Sequence, residues 1–270
     1  MLDQYQKQFI KLAEQNARSH RMHVVFCDFC EMSAIALSNL CDKTQYEKRE
    51  ARYMEIVGKY TKEEANRFAE MYVCIENSLT NNLHDCLGEL FMSLELGSHF
   101  NGQFFTPFHI ASLMARLTVG NDADAALKDK GYIAVMEPAA GAGCMLIAQA
   151  QVMMENKINY QQAMHATAVD IDATAVHMCY VQLSLLGMPA VIYHGNTLSY
   201  EFWGYWKTPM HVLGLWDYKV TRSANHPADL DAIKMPEVST PADMPAPIVE
   251  LANRAVSATK NKQENQLALF

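Results

Sequence analysis

Apolar residues recur along this chain at two different periods, and the change falls near residue 131. Over residues 1–100 they are spaced by threes and fours. Phe68, Met71, Tyr72 and Ile75 mark one helix face, and Leu83, Leu87, Leu90, Phe91 and Leu94 repeat the pattern. Thr61-Lys62-Glu63-Glu64 opens the first of these as a capping box: the Thr61 hydroxyl accepts from an exposed amide and Glu64 reaches back to the cap. No proline precedes Pro107 to break the helices. The pattern predicts a helical region over 1–100.

Beyond 131 the apolar runs shorten. Tyr132-Ile133-Ala134-Val135-Met136 reads as a strand closed by Pro138 and the glycine turn at Gly141 and Gly143, with a helix over 143–155 behind it. Ala166-Thr167-Ala168-Val169, ending at Asp170, reads as a second strand. A helix over 173–186 leads to a third, Ala190-Val191-Ile192-Tyr193, and His211-Val212-Leu213-Gly214-Leu215-Trp216 is expected as a fourth. Strands alternating with helices predict a parallel sheet with crossover helices, an α/β domain over 101–222. Five of the nine prolines fall between Pro227 and Pro247, so 223–246 reads as a linker, followed by a short helix over 247–259 and a polar tail over 260–270.

Composition narrows the setting. Half of the residues are hydrophobic, as in an ordinary globular protein, and the opening twenty mix charge and polarity in a way no signal peptide does. A run of about 18 apolar residues, which a membrane span would need, is not expected. Seven cysteines without paired spacing predict reduced thiols and a cytoplasmic location. Cys27 and Cys30 have half the spacing of a zinc site, but with no second pair they read as core packing. The formal charge of −8 lacks the basic face with which a protein grips duplex DNA unaided.

Candidate chemistry gathers at the strand ends. Gly141 and Gly143 let the backbone approach a ligand closely, and the following helix turns its amide end towards it. Glu137 can hold an ammonium group, Asp170 both hydroxyls of a ribose, and the Asn196 amide can donate to and accept from an adenine edge. Acid, glycine turn, acid and amide at successive strand ends make a nucleoside site.

Five segments, in order, resemble the motifs of adenine-N6 DNA methylases of the type I modification-subunit kind: Asp85-Cys86-Leu87-Gly88-Glu89-Leu90, Gly102-Gln103-Phe104-Phe105-Thr106-Pro107, Glu137-Pro138-Ala139-Ala140-Gly141-Ala142-Gly143, Ala168-Val169-Asp170-Ile171-Asp172 and His194-Gly195-Asn196-Thr197-Leu198. The resemblance implies a Rossmann-like methyltransferase core binding S-adenosylmethionine. Phe105, Thr106 and Pro107 would line its methionine end, and Glu137, Ala139, Gly141 and Gly143 would shape the loop beneath. Asp170 would hold the ribose, Ile171 would pack on the adenine, and Asn196 would read its edge. It implies methyl transfer to adenine in DNA with a specificity partner.

Two features depart from the family pattern. The [ND]-P-P-[YF] loop that accepts the target amine after the fourth strand is missing: no N-P-P or D-P-P occurs, and Thr208-Pro209-Met210-His211 is the nearest sequence, ahead of the expected fourth strand. Only four strands can be found where about seven are expected. The alternative is therefore a catalytically inactive relative that binds the cofactor and acts through partners. Phe202, Trp203, Tyr205 and Trp206 can stack a nucleobase or cover the sheet edge. The terminal Gln266-Leu267-Ala268-Leu269-Phe270 resembles the peptide that docks bacterial proteins on the DNA sliding clamp, with Gln266 on a polar rim and Leu267, Leu269 and Phe270 as anchors.

Overall fold

The structure is a computed structural model that describes residues 2–96, 105–118, 127–128 and 130–224. Five helices come first: α1 (Gln4–Asn16), α2 (Met22–Cys41), α3 (Tyr46–Val57), α4 (Lys62–Asn81) and α5 (Cys86–Ser93). The starts of α1, α4 and α5 are set by side chains that take up orphan amides. Asp3 and Gln6 form a capping box on α1, Thr61 and Glu64 form the expected one on α4, and Asp85 accepts from the Gly88 amide at 3.0 Å on α5. Phe68, Met71 and Ile75 of α4, and Leu87, Leu90 and Phe91 of α5, are buried as their spacing predicts.

Among the described residues, α2 is long and apolar enough to cross a membrane, where no such run is expected from the sequence. In this fold it is a core helix packed along a later crossover helix, with Val25, Phe26, Phe29, Cys30, Met32 and Ile35 buried. Cys30 faces that core, while Cys27 accepts a hydrogen bond from Thr174.

Then α6 (Phe108–Thr118) precedes the sheet elements: β1 (Ile133–Glu137), α7 (Cys144–Glu155), α8 (Tyr160–Ala163), β2 (Met164–Asp170), α9 (Ala173–Leu185), β3 (Ala190–Asn196), β4 (Glu201–Lys207), α10 (Pro209–Leu213) and α11 (Trp216–Ala224). The sheet order is β1-β2-β3-β4, with the first three strands parallel, as expected. The fourth differs from expectation. It is Glu201–Lys207, antiparallel to β3, and the segment expected as a strand, 211–216, instead contains the end of α10 and the start of α11. Thr208 caps α10 and Pro209 occupies its first turn, where a missing amide hydrogen costs nothing.

The helices and the sheet share one hydrophobic core, from Phe9, Phe26 and Phe91 through Ala142 and Leu146 to Ala168, Cys179 and Ile192. Gln6 Nε2 joins α1 to α5 by donating to the Cys86 carbonyl (3.2 Å) and to Glu89 (2.9 Å). Arg49 of α3 reaches β4, donating to the Tyr205 carbonyl at 2.7 Å and lying 4.0 Å from the Trp206 ring centroid. Asp42 and Ser38 hold the same guanidinium. On the other face of the sheet, Trp216 packs on Tyr132 and His165, with ring centroids 5.1 and 5.2 Å apart.

The chain divides into two compact units, 1–217 and 218–270. Of the second, only residues 218–224, the remainder of α11, are described. The expected linker, short helix and terminal peptide, with Gln266, Leu267, Leu269 and Phe270, lie outside the described residues.

Candidate cofactor site

Parallel strands deliver their carboxyl ends to one edge of a sheet, and the register sets how those ends line up. Glu137 sits beside Ala168 and Asp170 beside His194, while Asn196 lies two residues further along β3. The three tips therefore rise in a staircase from β1 to β3. Hydrogen bonds tie them together. The Gly141 amide donates to Asp170 Oδ2 at 2.8 Å, and Thr197 Oγ1 donates to the Pro138 carbonyl at 2.7 Å.

The turn after β1 requires its glycines. Gly141 and Gly143 have φ of +54° and +94°, conformations a side chain disfavours. A Cβ on Gly141 would stand 2.9 Å from two carbons of the Phe105 ring, and one on Gly143 would stand 3.1 Å from Cys179 Sγ. Phe105 thus rests directly on the loop, edge-on to Phe91. Thr106 and Pro107 beside it are exposed, and Cys144 Sγ donates to the Thr106 carbonyl at 3.2 Å. The first turn of α7 opens from Gly143, its amides towards the loop.

A glutamine that sequence reasoning missed holds the loop from below. Gln182 of α9, fully buried, donates to the Ala142 carbonyl (2.7 Å) and to Asp85 (2.8 Å) and accepts from the Leu87 amide (2.9 Å). It pins the glycine turn and the start of α5 to one side chain. Burial pushes the Asp85 carboxyl above its ordinary range, against the pull of Gln182 and the Gly88 amide. In sequence Gln182 is one polar residue in an apolar helix, which carries no signal of this role.

The three polar tips differ in what they have left to offer. Asp170 takes one amide on each oxygen, from Gly141 and from Asp172 (2.9 Å), and a carboxylate has about four acceptor positions, so capacity for two hydroxyls remains. Glu137 accepts from the Ala139 amide at 3.3 Å. Burial raises its carboxyl pKa and the nearby Asp170 charge raises it further. A cation held there would relieve both effects. Asn196 Oδ1 already accepts from the Leu198 (2.9 Å) and Ser199 (3.4 Å) amides, so its side chain is left chiefly with its donor hydrogens. The expectation that Asn196 would both donate and accept is narrowed accordingly. Ile171 is exposed just after β2, and Ala139 is exposed on the loop.

The Thr208–His211 segment follows the observed fourth strand, but at the wrong end of the sheet for an acceptor loop. Thr208 Oγ1 accepts from the Ala190 amide (2.9 Å) and donates to the Met188 carbonyl (2.8 Å), at the amino end of β3. His211 is buried, with Nδ1 2.9 Å from His165 Nε2 and Nε2 3.1 Å from Asp217 Oδ1. These residues fasten the base of the sheet, away from the staircase of tips.

A glycine turn, an acid and an amide on successive parallel strand ends place the protein in the Rossmann-like α/β class. Residues 84–214 match the family model of the N-6 DNA methylases. It is also similar to a solved structure described as a class I S-adenosylmethionine-dependent methyltransferase from Listeria monocytogenes. The two share 16% identity, the match covers 73% of this chain and 55% of that one, and the TM-score is 0.39. No curated protein matches the chain.

Proposed function

We propose that the chain binds S-adenosylmethionine across the tips of β1, β2 and β3 and works in adenine-N6 methylation of DNA as the cofactor-holding part of the machinery. Supporting this are the family match over 84–214 and the Gly141–Asp170 and Thr197–Pro138 bonds that draw the loops together. Glu137 would face the methionine ammonium, Asp170 the ribose hydroxyls, and Ile171 the adenine ring, with Asn196 donating to a ring nitrogen. Phe105, Thr106 and Pro107 would close the methionine end over Ala139, Gly141 and Gly143. When bound, the cofactor supplies an electrophilic methyl group on sulfur.

Moving that methyl group to adenine also needs an acceptor for the target amine and a stacking surface for the extruded base. Among the described residues no acceptor loop for the amine stands at the tips, and Thr208 and His211 are committed to the base of the sheet. On this reading the chain does not methylate DNA unaided, and a partner supplies the acceptor loop and target recognition. The terminal Gln266–Phe270 peptide would bring the protein to DNA by docking on the sliding clamp, which suits its charge of −8.

Calorimetry with S-adenosylmethionine tests the pocket. Binding by the unaltered protein, abolished in Asp170→Ala, is the expected result, and no binding at all overturns the reading. Methyl transfer to unmethylated DNA by the purified chain alone would overturn the division of labour. Co-purification with the clamp should vanish when 266–270 are deleted; unchanged association would end the docking proposal.

A further inference from the structure

Strand β4 brings an aromatic side chain to the same edge as the cofactor tips. The ladder between β3 and β4 is irregular at His194 and Gly195: His194 pairs with Gly204 but Gly195 pairs with Phe202, so Trp203 is the extra residue. Such a bulge re-aims a side chain. Here it sets the Trp203 and His194 rings nearly perpendicular, with centroids 4.9 Å apart. The His194 ring lies with Nε2 3.2 Å from the Ile171 carbonyl. Ile171, His194 and Trp203 thus form a run of neighbours along the tips of β2, β3 and β4.

Its two ends are open to solvent: Ile171 is 60% exposed and Trp203 55%. A tryptophan held by a histidine yet left half in water is unlike its strand neighbour Trp206, which is packed by Arg49, His177 and Tyr180. Base–aromatic stacking needs a flat ring open to solvent, and Trp203, half exposed, lies against the His194 ring that meets the Ile171 carbonyl.

We propose that Trp203 is a cofactor-binding residue, extending the adenine shelf begun by Ile171 so that the nucleobase of S-adenosylmethionine lies along Ile171, His194 and Trp203. This rests on the cofactor reading above. The ring contributes affinity through the purine, so it serves any ligand carrying adenosine, including 5′-methylthioadenosine. It takes no part in moving the methyl group.

The chain has three tryptophans, and Trp216 is buried. Adding S-adenosylmethionine should therefore change intrinsic fluorescence mainly through Trp203. In Trp203→Phe the change should be lost while calorimetric binding, weaker than in the unaltered protein, stays stronger than in Trp203→Ala. In Trp203→Ala the dissociation constants for S-adenosylmethionine and for 5′-methylthioadenosine should both rise, by about 5- to 150-fold. The unfolding midpoint of each variant, unchanged for an exposed residue, separates a binding defect from a folding one. Calorimetric binding of equal strength in Trp203→Ala and the unaltered protein would overturn the role of Trp203 and leave the cofactor reading standing. Absence of binding in the unaltered protein would overturn both.

Discussion

At the base of the sheet His165 is buried between Trp216 and His211. Asp217 accepts from Nε2 of His211, and in the neutral ring that leaves Nδ1 to accept from His165. Burial, and then the neighbouring His211, push the His165 pKa down to about 3. In the unfolded chain a histidine titrates near 6.5, so on acidification the unfolded state takes up the proton first. The stabilising contribution is therefore whole above about pH 6.5 and is lost as pH falls towards 3. At pH 5 the separation from 6.5 is about 1.5 units, which costs about 2 kcal/mol at about 1.36 kcal/mol per unit. His177, pushed down to about 4 mainly by burial, should contribute a loss of the same sign. Asp217 is depressed by His211 and Lys207, and it loses its contribution only below the ordinary aspartate range, outside this window. Guanidinium unfolding at pH 8, 6 and 5 measures the effect. Replacing His165 with glutamine, which can still donate to His211, should remove about half of the pH dependence between 8 and 5. A slope equal to that of the unaltered protein would refute the assignment.

Other substitutions probe the scaffold of the site. Gly141→Ala places a side chain at φ +54° and a carbon 2.9 Å from Phe105. It should cost about 1–2 kcal/mol for the backbone alone and weaken S-adenosylmethionine binding, with an unchanged unfolding midpoint as the contrary result. Gln182→Leu removes the Gln182 partner of the Ala142 carbonyl and the Leu87 amide and leaves the buried Asp85 carboxyl to the Gly88 amide. At about 1–3 kcal/mol for each unsatisfied group, chemical denaturation should show a loss above about 2 kcal/mol, and less than 1 would count against the network. Arg49→Met leaves Asp42 buried without its partner and should cost about 3–5 kcal/mol in the same assay, whereas a neutral outcome would show the pair to be dispensable.

The three parallel strands and their crossover helices could be read from the sequence because each carries its own punctuation. Gly141 and Gly143 end one strand, Asp170 another and Asn196 the third. The fourth strand could not be read in the same way. Phe202-Trp203-Gly204-Tyr205-Trp206 is apolar on both faces, so it shows no alternation. His211-Val212-Leu213-Gly214-Leu215-Trp216 is a short apolar run that suits strand and helix equally, and Thr208-Pro209 ahead of it is the sign of a helix start that decides between them. The site residues were legible as identities but not as partners. Nothing in Asn196 announces that its carbonyl oxygen is spent on Leu198 and Ser199, although an asparagine followed by polar loop residues is a common turn former. The Gln182 contacts join residues 40 and 97 positions apart, which local patterning cannot encode.

The span that matches the methylase family starts at residue 84, yet the core to which it contributes includes Phe9, Phe26, Phe29 and Phe68 from the helices before it. An excised 84–214 fragment would carry the recognisable motifs but present to water the faces of α5 and α9 that those rings cover, and would lose the Gln6 tie to Cys86 and Glu89. The matched span and the packed core are thus different lengths of the same polypeptide. A biochemist wishing to transplant the proposed cofactor site into another scaffold would have to carry the leading helices along with it.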